Sequence, residues 1–219
     1  MRLYGRSNSQ AGQESFVLGV LQGLKKGTFV EIGSADPITS RNTLMLEQEF
    51  EWLGIGIDID ADLVLRYNKE RQSVAICADA TKIDFKELFR THKIVNPINY
   101  LQVDVEPSTQ ALECLYRIPF EEYEIQIITF EHDSYIGTSG AAVRNQSRNY
   151  LQELGFALVY GDVKDPAKGR TFEDWYVRKT LLKKRKLLYF RTLFLILNLK
   201  VIVKLRLLRK KLFSSKTTS

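Results

Sequence analysis

The chain has 219 residues, 44% of them hydrophobic and 26% charged, which is the composition of a globular protein with room for one α/β domain. Residues 183–219 hold 12 of the 32 Lys and Arg and none of the 26 Asp and Glu, so residues 1–182 carry a net charge of −6. An acidic body excludes a general nucleic-acid-binding surface there. Two distant cysteines exclude a cysteine metal site, and with a polar start that lacks an apolar leader they predict a cytoplasmic protein.

Taken in chain order, helical and strand patterns alternate. Apolar residues between positions 16 and 24 recur at helical spacing and open the series. Short apolar strand patterns follow, each with a helical stretch after it, and two closing strands pair as a hairpin. The predicted strands span 28–32, 54–59, 74–79, 98–104, 124–130, 156–163 and 174–178, and the predicted helices span 13–24, 42–50, 61–71, 84–90, 107–117 and 141–154.

This alternation predicts a doubly wound α/β fold with a mostly parallel sheet and helices on both faces. Ligands of such sheets bind beyond the carboxyl ends of the strands, near the point where the strand order reverses. Because four of the five central strand ends hold a carboxylate, we predict a ligand site along that edge. The residues at these ends are Gly33-Ser34, Asp58, Asp79, Asp104 and Glu131-His132-Asp133.

The first strand ends favour an adenosine ligand. Asp58 can accept hydrogen bonds from both ribose hydroxyls, and Asp79-Ala80 suits the adenine amino group. The turn "EIGSADP" has one glycine, whereas a pyrophosphate needs a glycine-rich turn that lets the backbone approach it. Glu31 and Asp36 suit a cationic ligand such as S-adenosylmethionine (SAM) and would repel a pyrophosphate. These features count against an NAD-dependent oxidoreductase, which stays open as a third interpretation.

A set of motifs that runs in order from about Ser9 to Arg178 resembles the FkbM-type SAM-dependent methyltransferases. The resemblance implies a Rossmann-like class I methyltransferase fold, with seven strands in the order 3-2-1-4-5-7-6 and strand seven antiparallel. It also implies methyl transfer to a hydroxyl, often on a sugar or a glycosylated metabolite. The motifs are "SQAGQESFVL", "GTFVEIGSADP", "NTLMLE", "WLGIGIDID", "ADATKIDF", "INYLQVDVEPST", "ITFEHDSY", "SRNYLQELGFALV" and "FEDWYV".

The same resemblance implies roles for individual residues of the cofactor site. By position, it implies that Glu31, Gly33 and Ser34 bind the methionine part of SAM. Asp58 is implied to bind the ribose and Asp79 the adenine. Asp104 is implied near the methyl group or the methionine amine. Where many relatives have D-V-E-G after the fourth strand, this chain has Asp104-Val105-Glu106-Pro107, which changes the turn on the acceptor side. The predicted cofactor-binding residues are Glu31, Gly33, Ser34, Asp36, Asp58, Ile59, Asp79, Ala80 and Asp104.

The predicted catalytic residues are His132, Asp104 and Glu106. Methyl transfer needs the acceptor oxygen, the methyl group and the sulfur in line, and a base that takes the hydroxyl proton. His132 follows an apolar strand at the ligand edge, which favours it as that base over His92 in a polar loop. The alternative for His132 is a core histidine with one backbone partner.

A metal site at the fourth and fifth strand ends is a further alternative. Asp104 and Asp133 occupy the places that bind Mg²⁺ in enzymes similar to catechol O-methyltransferase. A hard cation with oxygen ligands would lower the pKa of the acceptor hydroxyl and orient it. The Asp-Asn pair of that group is missing after the fifth strand.

Acceptor specificity is predicted to lie in the loops at 134–142 and 162–171. Arg144 and Arg148, one helical turn apart, fit a solvated helix face, or else recognise an anionic acceptor. The expected partner is a small molecule or a glycan, and no pattern indicates an oligomeric state.

The sequence divides into a predicted methyltransferase domain, residues 1–182, and a basic, hydrophobic extension, residues 183–219. The segment 183–213 is too interrupted by charges for a membrane span, since its longest uncharged piece has eight residues. It fits a helix packed on the body or a partner, a peripheral anchor on anionic lipid, or, less well, a nucleic-acid arm. A non-catalytic methyltransferase-fold scaffold that is attached through this extension is therefore the alternative to an enzyme.

Overall fold

The computed structural model describes residues 9–38 and 42–182. Seven strands and six helices alternate along this part of the chain, as the sequence predicts. The strands are β1 (Thr28–Ile32), β2 (Leu53–Asp58), β3 (Val74–Cys77), β4 (Ile98–Val103), β5 (Ile125–Glu131), β6 (Phe156–Lys164) and β7 (Thr171–Arg178). The helices are α1 (Gln13–Leu21), α2 (Leu44–Phe50), α3 (Ala61–Glu70), α4 (Phe85–Thr91), α5 (Ser108–Arg117) and α6 (Thr138–Glu153).

The seven strands form one sheet in the order β3-β2-β1-β4-β5-β7-β6. Strands β1 to β5 pair in parallel, and β7 pairs antiparallel with both β5 and β6. The predicted strand order and the antiparallel last strand are confirmed. Strand order reverses between β1 and β4, so the carboxyl ends of these two strands flank the expected ligand crevice.

Local chemistry explains most helix boundaries. The side chains of Asp60 and Asp84 cap the first turns of α3 and α4 by accepting hydrogen bonds from backbone N–H groups. Helix α1 ends three residues before the predicted boundary because Gln22 and Gly23 take positive φ values of 58° and 72°. Helix α6 begins three residues earlier than predicted, directly after Gly137 at φ 84°.

The two faces of the sheet differ in chemistry. The face toward α4, α5 and α6, called here the apolar face, buries one large hydrophobic cluster. Its strand residues are Val30, Ile32, Leu101, Val103, Ile128, Phe130 and Tyr176, and its helix residues include Phe85, Phe89, Leu112, Leu115, Val143 and Leu151. This cluster is the main core of the protein.

The opposite side, called here the polar face, carries hydrophilic side chains in the middle of the sheet. Glu31, Gln102 and Thr129 lie side by side on β1, β4 and β5, and all three are buried. Helices α1 and α3 cover this face: Gln13 of α1 donates a hydrogen bond to Glu173 of β7, and Tyr67 of α3 packs on Ala75 of β3. Buried polar groups of this kind need hydrogen-bond partners inside the protein.

The predicted extension, residues 183–219, lies outside the described residues, so the structure does not test the proposed domain boundary or the role of the extension. Within the described residues, no helix combines the length and the apolar character needed to cross a membrane.

Candidate active site

Strand register brings the sequence-predicted residues of β1, β4 and β5 to one edge. Ile32 pairs with Val103, and Val103 pairs with Phe130. The next residue of each strand or turn is therefore Gly33, Asp104 and Glu131. Because side chains alternate between the faces of a strand, Asp104 and Glu131 continue the polar face.

The turn after β1 requires glycine at position 33. Gly33 has φ 82°, and a Cβ built there would lie 1.7 Å from the backbone oxygen of Asp104. The N–H groups of Gly33 and Ser34 both donate to the carbonyl oxygen of Ile57, at 2.8 and 3.0 Å. These contacts hold the turn between β2 and β4 and leave no space for a side chain.

Asp58 and Ile59 stand at the end of β2 beside this turn. The Asp58 carboxylate accepts from the N–H of Ala35 at 2.6 Å and from the N–H of Asp60 at 3.0 Å, one hydrogen bond to each oxygen. Each oxygen keeps a further lone pair toward solvent. Ile59 is 71% exposed, which is unusual for a large apolar side chain at a strand end.

Asp79 and Ala80 follow β3 as predicted. Hydrogen bonds from Thr81 and Lys82 lower the pKa of Asp79 to about 2. The Lys82 ammonium lies 2.9 Å from an Asp79 oxygen, and Ala80 is buried in the apolar core. Asp79 is therefore ionised at every physiological pH.

The two remaining acids of the first turn are separated by the structure. Glu31 is buried on the polar face, where its carboxylate accepts from the hydroxyl of Thr43 at 2.8 Å. Asp36 instead forms an ion pair with Arg66 of α3, with 2.7 Å between the charged atoms. The predicted attraction of Asp36 for a cationic ligand thus competes with a partner inside the protein.

A cleft of about 180 Å³ opens at the ends of β4, β5 and β7. It contains the predicted residues Asp104 and Glu106, together with residues of the β6–β7 turn and the loop after β5 that sequence reasoning had assigned only as loops. The lining residues are Gln10, Asp104, Glu106, Glu131, Tyr135, Asp165, Lys168, Arg170 and Phe172. Most of this lining is polar, which favours a hydrophilic occupant.

Glu131 is the most perturbed acid of the cleft. Burial raises its pKa well above the usual range, and the neighbouring carboxylates Asp104 and Asp133 raise it further. The Glu131 carboxyl is close enough to both of these acids to donate its one proton to either of them. Glu131 consequently holds a proton at neutral pH, as expected when several carboxyl groups share one site.

His132 lies beneath the cleft and not in it. Its side chain is 0% exposed. Nδ1 accepts from the N–H of Ser134 at 3.1 Å, and Nε2 faces Asp174 at 3.4 Å. A general base must touch the hydroxyl that it deprotonates. This position favours the alternative of a core histidine over the predicted catalytic role.

One of the two interpretations placed Arg144 and Arg148 of α6 on a solvated helix face. The structure instead places both in ion pairs with acids of β6 and β7. Arg148 donates two hydrogen bonds to the buried Asp174, at 2.7 and 2.8 Å, and pairs with Asp162 at 2.9 Å. Arg144 also pairs with Asp162, at 2.9 Å. No sequence pattern indicates this network, because its members come from α6, β6 and β7, far apart in the chain.

The proposed Mg²⁺ ligands Asp104 and Asp133 both contact Glu131 at the carboxyl edge. In the described part of the chain, three potential ligand atoms come within 4.8 Å of one another at a different place, His132, Asp162 and Asp174. Arg148 already bonds both of those carboxylates and supplies the positive charge there. Metal dependence through Asp104 and Asp133 stays a prediction.

Solved structures of methyltransferases resemble this chain in fold. An O-methyltransferase from Bacillus cereus in complex with SAH is 10% identical, with a TM-score of 0.53, over 80% of this chain and 84% of that one. Fibrillarin from Aeropyrum pernix with natively bound SAM is 17% identical, with a TM-score of 0.51, over 81% and 84%. A plantazolicin methyltransferase in complex with SAH is 11% identical, with a TM-score of 0.51, over 77% and 82%.

No family model matches the sequence, and no curated protein is similar to it. The structural likeness, together with the strand order, shows that the described chain has the Rossmann-like class I methyltransferase fold. The finer resemblance to FkbM-type enzymes remains a prediction from the motifs.

Proposed function

We propose that this protein is a SAM-dependent methyltransferase that acts on a hydroxyl group. The observation that carries the proposal is the sequence of groups along the carboxyl edge: Asp58 and Ile59 after β2, Asp79 after β3, and a polar, acidic cleft after β4 and β5. A shared fold does not by itself define an activity, so the proposal depends on these side chains.

The residues at the ends of β1, β2 and β3 fit SAM in chemistry. The free lone pairs of the Asp58 carboxylate suit the two ribose hydroxyls, and the exposed Ile59 side chain offers an apolar surface to the adenine ring. Asp79, held ionised, can accept from the adenine amino group. The single glycine of the first turn leaves no cradle for a pyrophosphate, which favours SAM over a dinucleotide.

SAM supplies an electrophilic methyl group next to a positive sulfur when it is bound. In our proposal Asp104 and Glu131, side by side at the ends of β4 and β5, lie nearest to that charge. The Asp104 carboxylate accepts the hydrogen bond of the acceptor hydroxyl and takes up its proton as the oxygen reacts. Glu131, which is protonated, donates a hydrogen bond to Asp104 and so orients the carboxylate.

The lining of the cleft supports a hydrophilic acceptor. Four carboxyl groups, an amide, a phenol and two cationic side chains surround a space that holds about one sugar-sized group. A sugar or polyol hydroxyl matches these partners better than an aromatic or lipid acceptor does.

Calorimetric titration of the full-length protein with SAM, SAH and NADH tests the cofactor assignment. We expect micromolar binding of SAM and SAH and no binding of NADH. Asp58→Ala removes the ribose acceptor and should weaken SAM binding at least tenfold. Asp62→Ala, the same change of charge in the first turn of α3, is the matched control and should leave the affinity unchanged.

Tight NADH binding, or failure of a folded protein to bind SAH, would contradict the proposal. A protein that binds SAM but transfers no methyl group to any glycan or polyol fraction would instead favour the non-catalytic scaffold.

A further inference from the structure

The turn between β6 and β7 forms one wall of the cleft and is held by its own hydrogen bonds. The Asp165 carboxylate accepts from the N–H groups of Ala167 and Lys168, at 2.7 and 3.1 Å. The backbone closes the turn through Asp165 N–H to Arg170 O at 2.9 Å and Gly169 N–H to Asp165 O at 2.8 Å. The backbone positions of Lys168 and Arg170 are therefore set by a hydrogen-bonded turn.

Lys168 and Arg170 present two positive charges to this cleft. Both residues line the cleft, although both are also exposed to solvent. Arg170 lies over the ring of Tyr135, with 5.2 Å between the guanidinium carbon and the ring centroid. This contact places the guanidinium beside Tyr135 of the loop after β5, which also lines the cleft.

Within the described part of the chain, neither cation forms an ion pair within 4.0 Å, although Lys168 interacts electrostatically with Asp165 of the same turn. Among the described residues, the ion pairs within 4.0 Å use other Lys and Arg side chains: Lys25, Lys26, Arg66, Arg71, Lys82, Lys86, Arg90, Arg144 and Arg148. Acids are nevertheless present in the same cleft. Both cationic side chains can therefore pair with an anionic ligand in the cleft. A guanidinium matches a carboxylate or phosphate through two parallel hydrogen bonds.

Three of the four acids of the cleft have other partners. The Asp165 oxygens are occupied by the turn and by the side-chain amide of Gln10 at 3.1 Å. Asp104 and Glu131 share hydrogen bonds at the other wall, where the proposed function places the positive sulfur of SAM. The cleft is consequently divided, with its acidic wall at β4 and β5 and its basic wall at the β6–β7 turn.

We propose that the acceptor of this protein carries an anionic group, a phosphate or a carboxylate, which binds to Lys168 and Arg170 while the reacting hydroxyl points toward Asp104. This inference rests on the proposed function and names the substrate class of the same site. An acidic sugar or a sugar phosphate has both features, an anionic group and several hydroxyls at fixed distances from it.

Calorimetric titration of the full-length protein saturated with SAH, using glucose 6-phosphate, glucuronate and glucose as probes, tests this substrate class. The three sugars share one ring and differ in charge. We expect at least one of the two anionic sugars to bind ten times more tightly than glucose. The double variant Lys168→Gln/Arg170→Gln should lose that tenfold preference and still bind SAH as the unaltered protein does.

The variant Lys25→Gln/Lys26→Gln is the matched control, because it removes the same charge just before β1, at the amino edge of the sheet. It should retain the preference. Equal binding of all three sugars to the SAH complex would overturn the inference alone, and so would an equal loss in both double variants. Absence of SAH binding in the first step would overturn the proposed function, so the two failures are distinguishable.

Discussion

Two neighbouring acids of β7 show how differently the two faces of this sheet treat the same chemical group. Glu173 is paired in register with Glu131 of β5 and belongs to the polar face. Asp174 is paired in register with Phe130 of β5 and belongs to the apolar face. Both side chains are buried. Because successive residues of a strand point to opposite faces, a single step along the chain separates these environments.

The partners of each acid decide its charge. Glu173 accepts hydrogen bonds from the neutral side chains of Gln13, at 3.0 Å, and Trp175, and burial raises its pKa to about 8. Burial alone would also raise the pKa of Asp174, but the hydrogen bonds from Arg148, with the His132 ring 3.4 Å away, bring the pKa well below its usual range. Asp174 is therefore a charged member of an ion pair, and Glu173 is a neutral acid over much of the physiological range.

The contrast shows that a buried carboxyl group cannot be classified from its burial. An arginine that reaches it from a neighbouring helix outweighs the loss of water, and neutral donors do not. Asp104 and Glu131 continue the polar face, so the charge of the cleft depends on the partners that this face supplies to them.

The largest expected effect comes from removing the buried ion pair between Arg148 and Asp174. Asp174→Asn leaves Arg148 without its buried carboxylate, and we expect a loss of about 3 kcal/mol in the free energy of unfolding. Urea denaturation at pH 7 measures it. Asp162→Asn is the matched control, since Asp162 also pairs with Arg148 but is half-exposed, and it should cost less than about 1 kcal/mol.

Equal losses in these two variants would contradict the distinction between a buried and an exposed partner of Arg148. The sign with pH follows from the lowered pKa of Asp174. Its contribution is present above the ordinary value of 3.8 and is lost as the pH falls below it.

The neutral side of the comparison predicts an opposite pH dependence. The folded protein keeps a proton on Glu173 up to about pH 8, while the unfolded chain releases it near the ordinary value of 4.5. The unaltered protein should therefore lose up to about 1.4 kcal/mol of stability per pH unit as the pH rises between these values. Glu173→Gln removes this titrating group. The free energy of unfolding of the variant, relative to that of the unaltered protein, should therefore rise steadily from pH 5.5 to 7.5.

Urea denaturation of both proteins at three pH values in that range provides the test, and the difference between them isolates Glu173 from other titrating groups. A difference that does not change with pH would show that Glu173 is ionised in the folded protein.

The smallest expected changes in the free energy of unfolding come from removing one of two tyrosine hydroxyls, one on each face of the sheet. The Tyr100 hydroxyl lies 2.8 Å from the hydroxyl of Thr129, and the Tyr176 hydroxyl donates to the Asp174 carboxylate at 3.1 Å. Hydrogen bonds to charged groups contribute more than those between neutral groups. We expect Tyr176→Phe to cost about 2 kcal/mol and Tyr100→Phe about 1 kcal/mol in thermal or urea unfolding. The reverse order would contradict the charge assignment of the two faces.

The strand ends were predictable from sequence because each depends on a short local pattern. Asp58, Asp79 and Asp104 all follow apolar strands, and the structure places all three at the carboxyl edge. To predict the fold, the order of these patterns along the chain and the resemblance of their motifs were sufficient.

The charge states of the acids were not predictable, because they depend on register and on side chains distant in sequence. The protonated state of Glu131 follows from its position beside Asp104, one strand away. His132 looked like a base because its strand ends at the edge, yet its side chain turns into the protein toward Asp174. No local pattern distinguishes these two orientations.

The β6–β7 turn has a consequence for protein engineering. Its hydrogen bonds run mainly between its own residues, from Asp165 to Arg170, so the sheet does not depend on the side chains at positions 168 and 170. Libraries confined to these two positions would vary the proposed acceptor site while the edge that is proposed to bind SAM stays intact. A chain built in this way can acquire new substrates through a six-residue graft, without remodelling its core.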